Sequence, residues 1–293
     1  MNSFKEIYNM KVSIVIPSYN RLHTLPRVLD SFAVQSYTDW ECIVVDDHST
    51  DATRELVSSY AEKDKRFIYL LNTCEKGAQG ARNCGIAAAR GEWIALFDSD
   101  DYAYPNFIEE LTKKIADGVD VITSKARMVD ANTNDTIDIA NWCAEGNVLN
   151  DLLNGKVYIG YNGSLIRKTA LERIGGTDTK CRSHQEYDTH IRLSQFCTYA
   201  STNQVLSDYY LNAADTITVD KTKHYDGYSY ILLKHSGLYR GGACAKFLKK
   251  AKNIFCAPDM PQEIKSRIRI KFLLKIPELL IYLPYCKLKE ILR

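Results

Sequence analysis

Apolar and polar positions follow a repeating rhythm over the first hundred residues. Lys11 to Pro17 (K-V-S-I-V-I-P) is a short, nearly unbroken apolar run, which predicts a strand buried on both faces. Leu25, Val28, Leu29 and Phe32 recur at helical spacing and predict an amphipathic helix from Thr24 to about Gln35. Trp40 to Val45 predicts a second strand. The helix after it runs to Tyr60, and Ser49 and Asp51 are both suited to cap its start. Phe67 to Leu71 predicts a third strand, Asn72 to Gly80 a loop, Ala81 to Ala89 a helix of small residues, and Trp93 to Phe97 a fourth strand. This order predicts an α/β fold, a mostly parallel sheet flanked by helices.

Parallel sheets bind ligands at the carboxyl ends of their strands. Three of these strands run into polar clusters: Ser18-Tyr19-Asn20, Asp46-Asp47 and Asp98-Ser99-Asp100-Asp101. Continuing the period of two beyond Phe97 puts Asp98 and Asp100 on one face. Two like charges held together are costly without a cation between them, and oxygen ligands suit Mg²⁺ or Mn²⁺. An isolated D-x-D is more often a polar turn after a strand; three clusters converging on one rim argue for a site. The dinucleotide fingerprint G-x-G-x-x-G does not follow the first strand, and G-x-x-x-x-G-K-[ST] occurs nowhere, so neither a Rossmann dinucleotide site nor a P-loop is indicated.

Ile16-Pro17-Ser18-Tyr19-Asn20, Val44 to Asp51, Gly80 to Ile86 and Phe97 to Asp101 occur in that order. In these motifs the chain resembles the family-two inverting glycosyltransferases with the GT-A fold, as found in bacterial surface-polysaccharide assembly. The resemblance covers about the first 110 residues and resumes near Gly163–Leu193. It implies that Pro17, Tyr19, Asn20, Asp47 and Arg82 surround the nucleotide of a UDP-linked sugar donor. It also implies that Asp98 and Ser99 lie near the ribose or sugar, and that Asp100, with Asp98, ligates Mn²⁺ or Mg²⁺ bridging the diphosphate. Tyr19 offers an aromatic face for a base, and Asp47 can accept from a uracil N–H. Arg82, read as opening a helix, joins its charge to that of the helix N-terminus; by itself it would read as a surface arginine.

Ser183-His184-Gln185-Glu186-Tyr187-Asp188 falls where such enzymes carry a Glu-Asp pair whose second acid is the catalytic base. The resemblance therefore assigns the base to Glu186, with Gln185 in place of the first acid and Asp188 as the reserve candidate. The family's Arg-x-His pattern falls near Tyr210 and Asn212, with no histidine there; His224, further on, reads as an isolated surface histidine. Residues 118–160 open with a strand at Val119 to Thr123 and then lose periodicity. Trp142, within them, is either a core residue or a platform for a sugar ring.

The chain has 293 residues, 45% hydrophobic and 25% charged, with a formal net charge of +2. From Ala245 to Arg293 there are twelve Lys/Arg against four Asp/Glu, a net of +8, so the other 244 residues carry −6. This divides the chain into a catalytic domain at 1–242 (1–110 for the nucleotide-sugar, 111–242 for the acceptor) and a helical basic appendage at 243–293. Within the appendage, residues 265–293 interleave cations with leucine, isoleucine and tyrosine, as in a segment that lies on an anionic membrane surface. The alternative is packing against the catalytic domain. Nine cysteines without a C-x-x-C pair read as reduced thiols, mostly buried, and neither a signal peptide nor a membrane span is evident. The expected location is the cytoplasm, peripheral at the inner face of the membrane. Nucleic-acid binding is not expected, since no such module is recognisable.

The reading that joins these features is an inverting, metal-dependent glycosyltransferase. It takes a sugar from a UDP-sugar to a hydroxyl of a glycan or a polyprenyl-diphosphate-linked glycan. The alternatives are a nucleotidyltransferase, whose glycine-rich loop after the first strand is missing, and a non-catalytic sugar-nucleotide-binding protein.

Overall fold

The computed structural model describes residues 11–211 and 221–240 (221–225 without side chains) and scattered positions from 246 to 274. Four strands, β1 (Val12–Ser18), β2 (Trp40–Asp46), β3 (Phe67–Leu71) and β4 (Trp93–Leu96), are parallel and lie side by side in the order β3-β2-β1-β4. Between them cross α1 (Leu25–Ala33), α2 (Thr53–Lys63) and α3 (Ala78–Ala88). Every residue of β1 and β2 is buried, as their largely apolar runs require. Val12, Ile14 and Ile16 share one core with Val28, Leu29 and Phe32 of α1, while Val15 turns to the opposite core with Ala81 and Cys84 of α3. Each such side chain stabilises the fold by about 1.5–3 kcal/mol through burial. Phe32 meets Phe97 edge-on with centroids 5.1 Å apart, tying α1 to the end of β4.

The chain continues through β5 (Tyr102–Ala103), α4 (Phe107–Thr112), β6 (Val121–Asp130), β7 (Thr136–Asn141), α5 (Leu149–Leu153), β8 (Ser164–Arg167), α6 (Lys168–Arg173), α7 (Gln185–Leu193), β9 (Tyr199–Leu211) and α8 (Lys221–Lys234). The sheet extends beyond β4 in the order β8-β6-β9-β5, with β7 paired to β6. β8 runs antiparallel to both β4 and β6, β6 runs parallel to β9, and β5 pairs antiparallel with β9. The last pairing, Tyr102 with Asp208 and Ala103 with Ser207, brings the end of β9 beside the 98–101 turn.

Several boundaries differ from the sequence pattern; α2, for one, runs to Lys63 and not Tyr60. The helix expected from Ala81 begins at Ala78, because Gly77 (φ 107°) ends the loop and Gly80 belongs to the first turn. Gly80 is a close-approach position: a Cβ there would lie 1.6 Å from the Glu75 carbonyl oxygen. Gly85, in the same helix, packs against β1, where a Cβ would lie 2.3 Å from Cγ1 of Val15. β4 ends at Leu96, although the Phe97 N–H still donates to the Val15 carbonyl at 3.0 Å. The strand expected at 119–123 runs from Val121 to Asp130. The six free cysteines among the described residues include Cys42, Cys84, Cys181 and Cys197, all buried.

α7 is anchored to α8 through one carboxylate. Asp188, fully buried, accepts from Arg192 Nε at 2.8 Å, lies 2.8 Å from Lys234 Nζ, and pairs with Nε2 of His235 at 2.7 Å. Burial opposes its ionisation, but His235, Arg192 and Lys234 outweigh it and hold the carboxyl at about 2.

Removing one partner of a buried ion pair typically costs about 3–5 kcal/mol. Asp188→Asn should therefore lower the urea midpoint clearly at neutral pH. The carboxyl lies below the ~3.9 of an unfolded aspartate, so its contribution is complete above about pH 4 and lost as the pH falls towards 2. The variant's deficit should shrink over that window. An unchanged midpoint at neutral pH would contradict this role.

Candidate active site

A cavity of about 320 Å³, within the range of small-ligand sites, opens where the carboxyl ends of β1 and β2 meet the 98–100 turn, the start of α7 and the end of β9. Pro17, Ser18 and Tyr19 line it from β1. Tyr19 is 49% exposed, so a ring face is available for stacking. Asn20 does not line the cavity; it braces the loop. Its backbone is left-handed (φ 52°), its N–H donates to Ser49 Oγ at 2.9 Å, and its Oδ1 accepts from Thr50 N at 2.8 Å. Asp47 reaches the cavity from β2 with Oδ1 accepting from Asn72 Nδ2 (2.6 Å) and Oδ2 from the Gly77 N–H (2.8 Å), so the loop before α3 holds its orientation. The helix cap expected of Ser49 or Asp51 falls instead on Ala52, without a side-chain cap bond, while Asp51 braces the start of α2 by accepting from Thr53 N at 3.1 Å.

Arg82 enters from the second turn of α3, not from its opening as the sequence pattern suggested. Its buried guanidinium donates to Asp98 and lies 4.8 Å from the Tyr161 ring centroid. Burial works against this charge, yet Asp98 and Tyr161 keep its pKa above the ordinary value. Its Nε and Nη1 have no hydrogen-bond partner among the described residues. Buried donors of that kind are costly unless an anion meets them. The neighbouring Asn83 ties α3 to the far half of the chain, donating to the Thr177 carbonyl and accepting from the Thr177 N–H at 2.8 and 2.7 Å.

The 98–101 turn sorts its three carboxylates. Asp98 and Asp100 line the cavity with Ser99. They lie beyond the last residue of β4, so the turn, and not strand periodicity, brings them to one side. Asp101 faces inward and is fully buried, accepting from Asn162 Nδ2 and from the Tyr210 N–H (2.9 Å). Burial, then the charges of Asp100 and Asp98, push its carboxyl well above the usual range. Arg27 closes the turn from α1 by donating to the Asp100 carbonyl while lying 3.7 Å over the Tyr210 ring.

Among the described residues no group of three or more His, Cys, Asp or Glu could hold a metal ion. Asp98 and Asp100 are nevertheless a fitting donor set for Mg²⁺ or Mn²⁺, which binds one or two carboxylates and fills the rest of its sphere with water and substrate phosphate. The cavity wall carries four carboxylates (Asp47, Asp98, Asp100, Glu186) against two guanidiniums (Arg21, Arg82). An anionic ligand placed there calls for added positive charge.

Glu186, in the first turn of α7, faces the cavity and is half-buried. Burial first, then the charge of Asp98, raises its carboxyl to about 7, where it can act as a base near neutral pH. Asp188 points elsewhere, because residues two apart on a helix lie about 200° apart around the axis. Its place in the hub to α8 leaves it outside the cavity wall. Trp142 is buried, beneath Gly160 and Gly163 and edge-on to Tyr209 at 5.7 Å, so it is a core residue and no platform. The side chain of His224, and most of the tail at 265–293, lie outside the described residues. Sequence pattern did not single out Arg21, Tyr158, His184, Tyr209 or Tyr210 as lining residues. Tyr158 lies in the aperiodic stretch, and Tyr209 and Tyr210 reach the site only through the pairing of β9 with β5.

A family model described as glycosyl transferase family 2 matches residues 13–175. An Escherichia coli protein, UDP-Glc:alpha-D-GlcNAc-diphosphoundecaprenol beta-1,3-glucosyltransferase WfgD, is 44% identical over 98 residues, covering 33% of this chain and 38% of its own. The succinoglycan biosynthesis protein ExoO of Rhizobium meliloti is 36% identical over 124 residues, covering 40% and 35%. The chain thus spans well under half the length of these relatives. Staphylococcus aureus TarS 1-349, solved with UDP-GlcNAc, superposes with a TM-score of 0.63 at 19% identity, covering 91% of this chain and 72% of that one. The mannosyltransferase PcManGT of Pyrobaculum calidifontis, solved with GDP-Man and Mn²⁺, gives 0.54 at 15% identity, covering 98% and 82%. These likenesses establish the GT-A fold. With the family model matching more than half of its residues, the chain belongs to glycosyl transferase family 2.

Proposed function

We propose that the protein is an inverting glycosyltransferase that moves a sugar from a UDP-sugar to a hydroxyl of a glycan or polyprenyl-diphosphate-linked glycan. One observation carries the reading. A buried arginine with two unpartnered nitrogens and the Asp98–Asp100 carboxylates share a cavity with Glu186, whose carboxyl is raised to about 7. The name of the E. coli relative, a UDP-glucose-dependent enzyme acting on a lipid diphosphate, supports the donor and acceptor classes. Residues 1–110 form the donor half of a catalytic domain reaching to 242, and 111–242 the acceptor half.

In this reading Tyr19 stacks on the base, Asp47 accepts from the uracil N–H, and Pro17 and Ser99 shape the nucleotide and sugar pocket. Arg82 pairs its free nitrogens with the diphosphate. Asp98 and Asp100 hold Mg²⁺ or Mn²⁺, which when bound supplies positive charge against the diphosphate. Glu186 takes the proton from the acceptor hydroxyl as its oxygen bonds to the anomeric carbon, on the face opposite the breaking bond to UDP. The electron pair of that bond leaves with the diphosphate.

Twelve cations interleaved with apolar residues in 245–293 support a peripheral place on an anionic, cytoplasmic membrane face. No helix among the described residues is long and apolar enough to cross a membrane. Full-length protein should float with vesicles of anionic phospholipid and not with neutral ones, and equal behaviour on both would contradict this placement.

Asp100→Ala and Glu186→Gln should each lower kcat for UDP-sugar transfer by about 10²-fold or more, the usual scale of charge stabilisation and general-base catalysis. A base must be deprotonated to act, so the wild-type rate should fall as pH drops through about 7. Loss of the acidic limb in Glu186→Gln would complete the case. Near-normal turnover in either variant would remove its assigned role.

A further inference from the structure

The segment between α5 and β8 places an aromatic ring beside the candidate base. Tyr158 lines the cavity, is 40% exposed, and donates its hydroxyl hydrogen bond to Glu186. Its ring lies near-parallel to that of Tyr187, with 6.3 Å between centroids and 18° between planes. Tyr187 is buried and held, its hydroxyl donating to the Leu152 carbonyl and accepting from Lys250 Nζ, both at 2.9 Å. Tyr158 therefore has a rigid backing on one side and is open on the other.

Two of the other tyrosines that line the cavity are already in use. Tyr210 lies beneath the Arg27 guanidinium, and Tyr209 is packed edge-on against Trp142. Tyr19 follows β1 instead, with Lys76 Nζ 5.9 Å from its ring centroid. Exposing a large ring to a cavity forgoes part of its burial energy unless a ligand covers it. An apolar face next to a carboxylate matches a pyranose, which offers C–H groups on one face and hydroxyls at its rim. A carboxylate offers about four acceptor positions, so the bond from Tyr158 leaves Glu186 able to receive a further proton donor.

We propose that Tyr158 forms the acceptor subsite. Its ring supports the C–H face of an acceptor pyranose, and its hydroxyl fixes Glu186 where that sugar's attacking hydroxyl arrives. The assignment rests on the glycosyl-transfer reading above, and its test separates the two. UDP release from UDP-glucose is measured with and without a short-chain alkyl diphosphate of GlcNAc as acceptor, for wild type, Tyr158→Ala and Tyr158→Phe. Tyr158→Ala should raise the acceptor KM about tenfold with the UDP-glucose KM within about twofold, and shift UDP release from transfer towards hydrolysis. Tyr158→Phe, which keeps the ring, should keep the acceptor KM within about threefold while lowering kcat. An acceptor KM unchanged in Tyr158→Ala, or donor and acceptor KM rising together, would overturn the subsite. A wild type that releases no UDP under either condition would overturn the transfer reading and the subsite with it.

Discussion

The buried guanidinium of Arg82 is the constraint around which the cavity is built. A charge taken out of water is costly unless paired, and this one is paired only in part. Asp98 satisfies one nitrogen, the Tyr161 ring lies against the guanidinium, and Nε and Nη1 stay unsatisfied among the described residues. Reaching that position requires α3 to lie close to both its neighbours. Gly80 lets the helix meet the Glu75 carbonyl, and Gly85 lets it meet β1. Asn83 then pins the same helix to Thr177 in the second half of the chain. Four polar or small positions within six residues thereby serve a single placement.

The acidic residues around this cation are separated by environment more than by type. Asp101 is buried with two donors and pushed towards its neutral form, so it is a structural tie between the turn and β9. Asp188 is held at about 2 by its hydrogen bond with His235 and the charges of Arg192 and Lys234, a permanent charge that joins α7 to α8. Glu186, two residues away on the same helix, is raised to about 7 and faces the cavity. One short helix thus carries an acid that stays ionised and another poised to change protonation near neutrality, an arrangement typical of sites that move protons.

Much of this was legible in the sequence, for definable reasons. The parallel half could be read because strands buried on both faces leave continuous apolar runs, and because Pro17, Tyr19, Asp47, Asp98 and Asp100 follow those runs directly. The second half could not be read in the same way. β8 inserts between β4 and β6, and the order depends on contacts distant in sequence. Glycines at 77 and 80 suggested a loop where close backbone approach, and not chain reversal, was the reason for Gly80. Asp101 had the same local sequence signal as its two neighbours, and only Asn162 and the Tyr210 N–H, far along the chain, set it apart. Tyr158 lacked any periodic context at all.

The central claim is that Arg82, Asp98 and Asp100 make a metal-dependent diphosphate site. Calorimetric titration of UDP into the full-length protein tests it most directly, with Mn²⁺ and again with chelator, for the wild type and Asp100→Ala. The account predicts binding that requires Mn²⁺ and is lost in the variant. UDP binding of equal strength with chelator, or in Asp100→Ala, would contradict it.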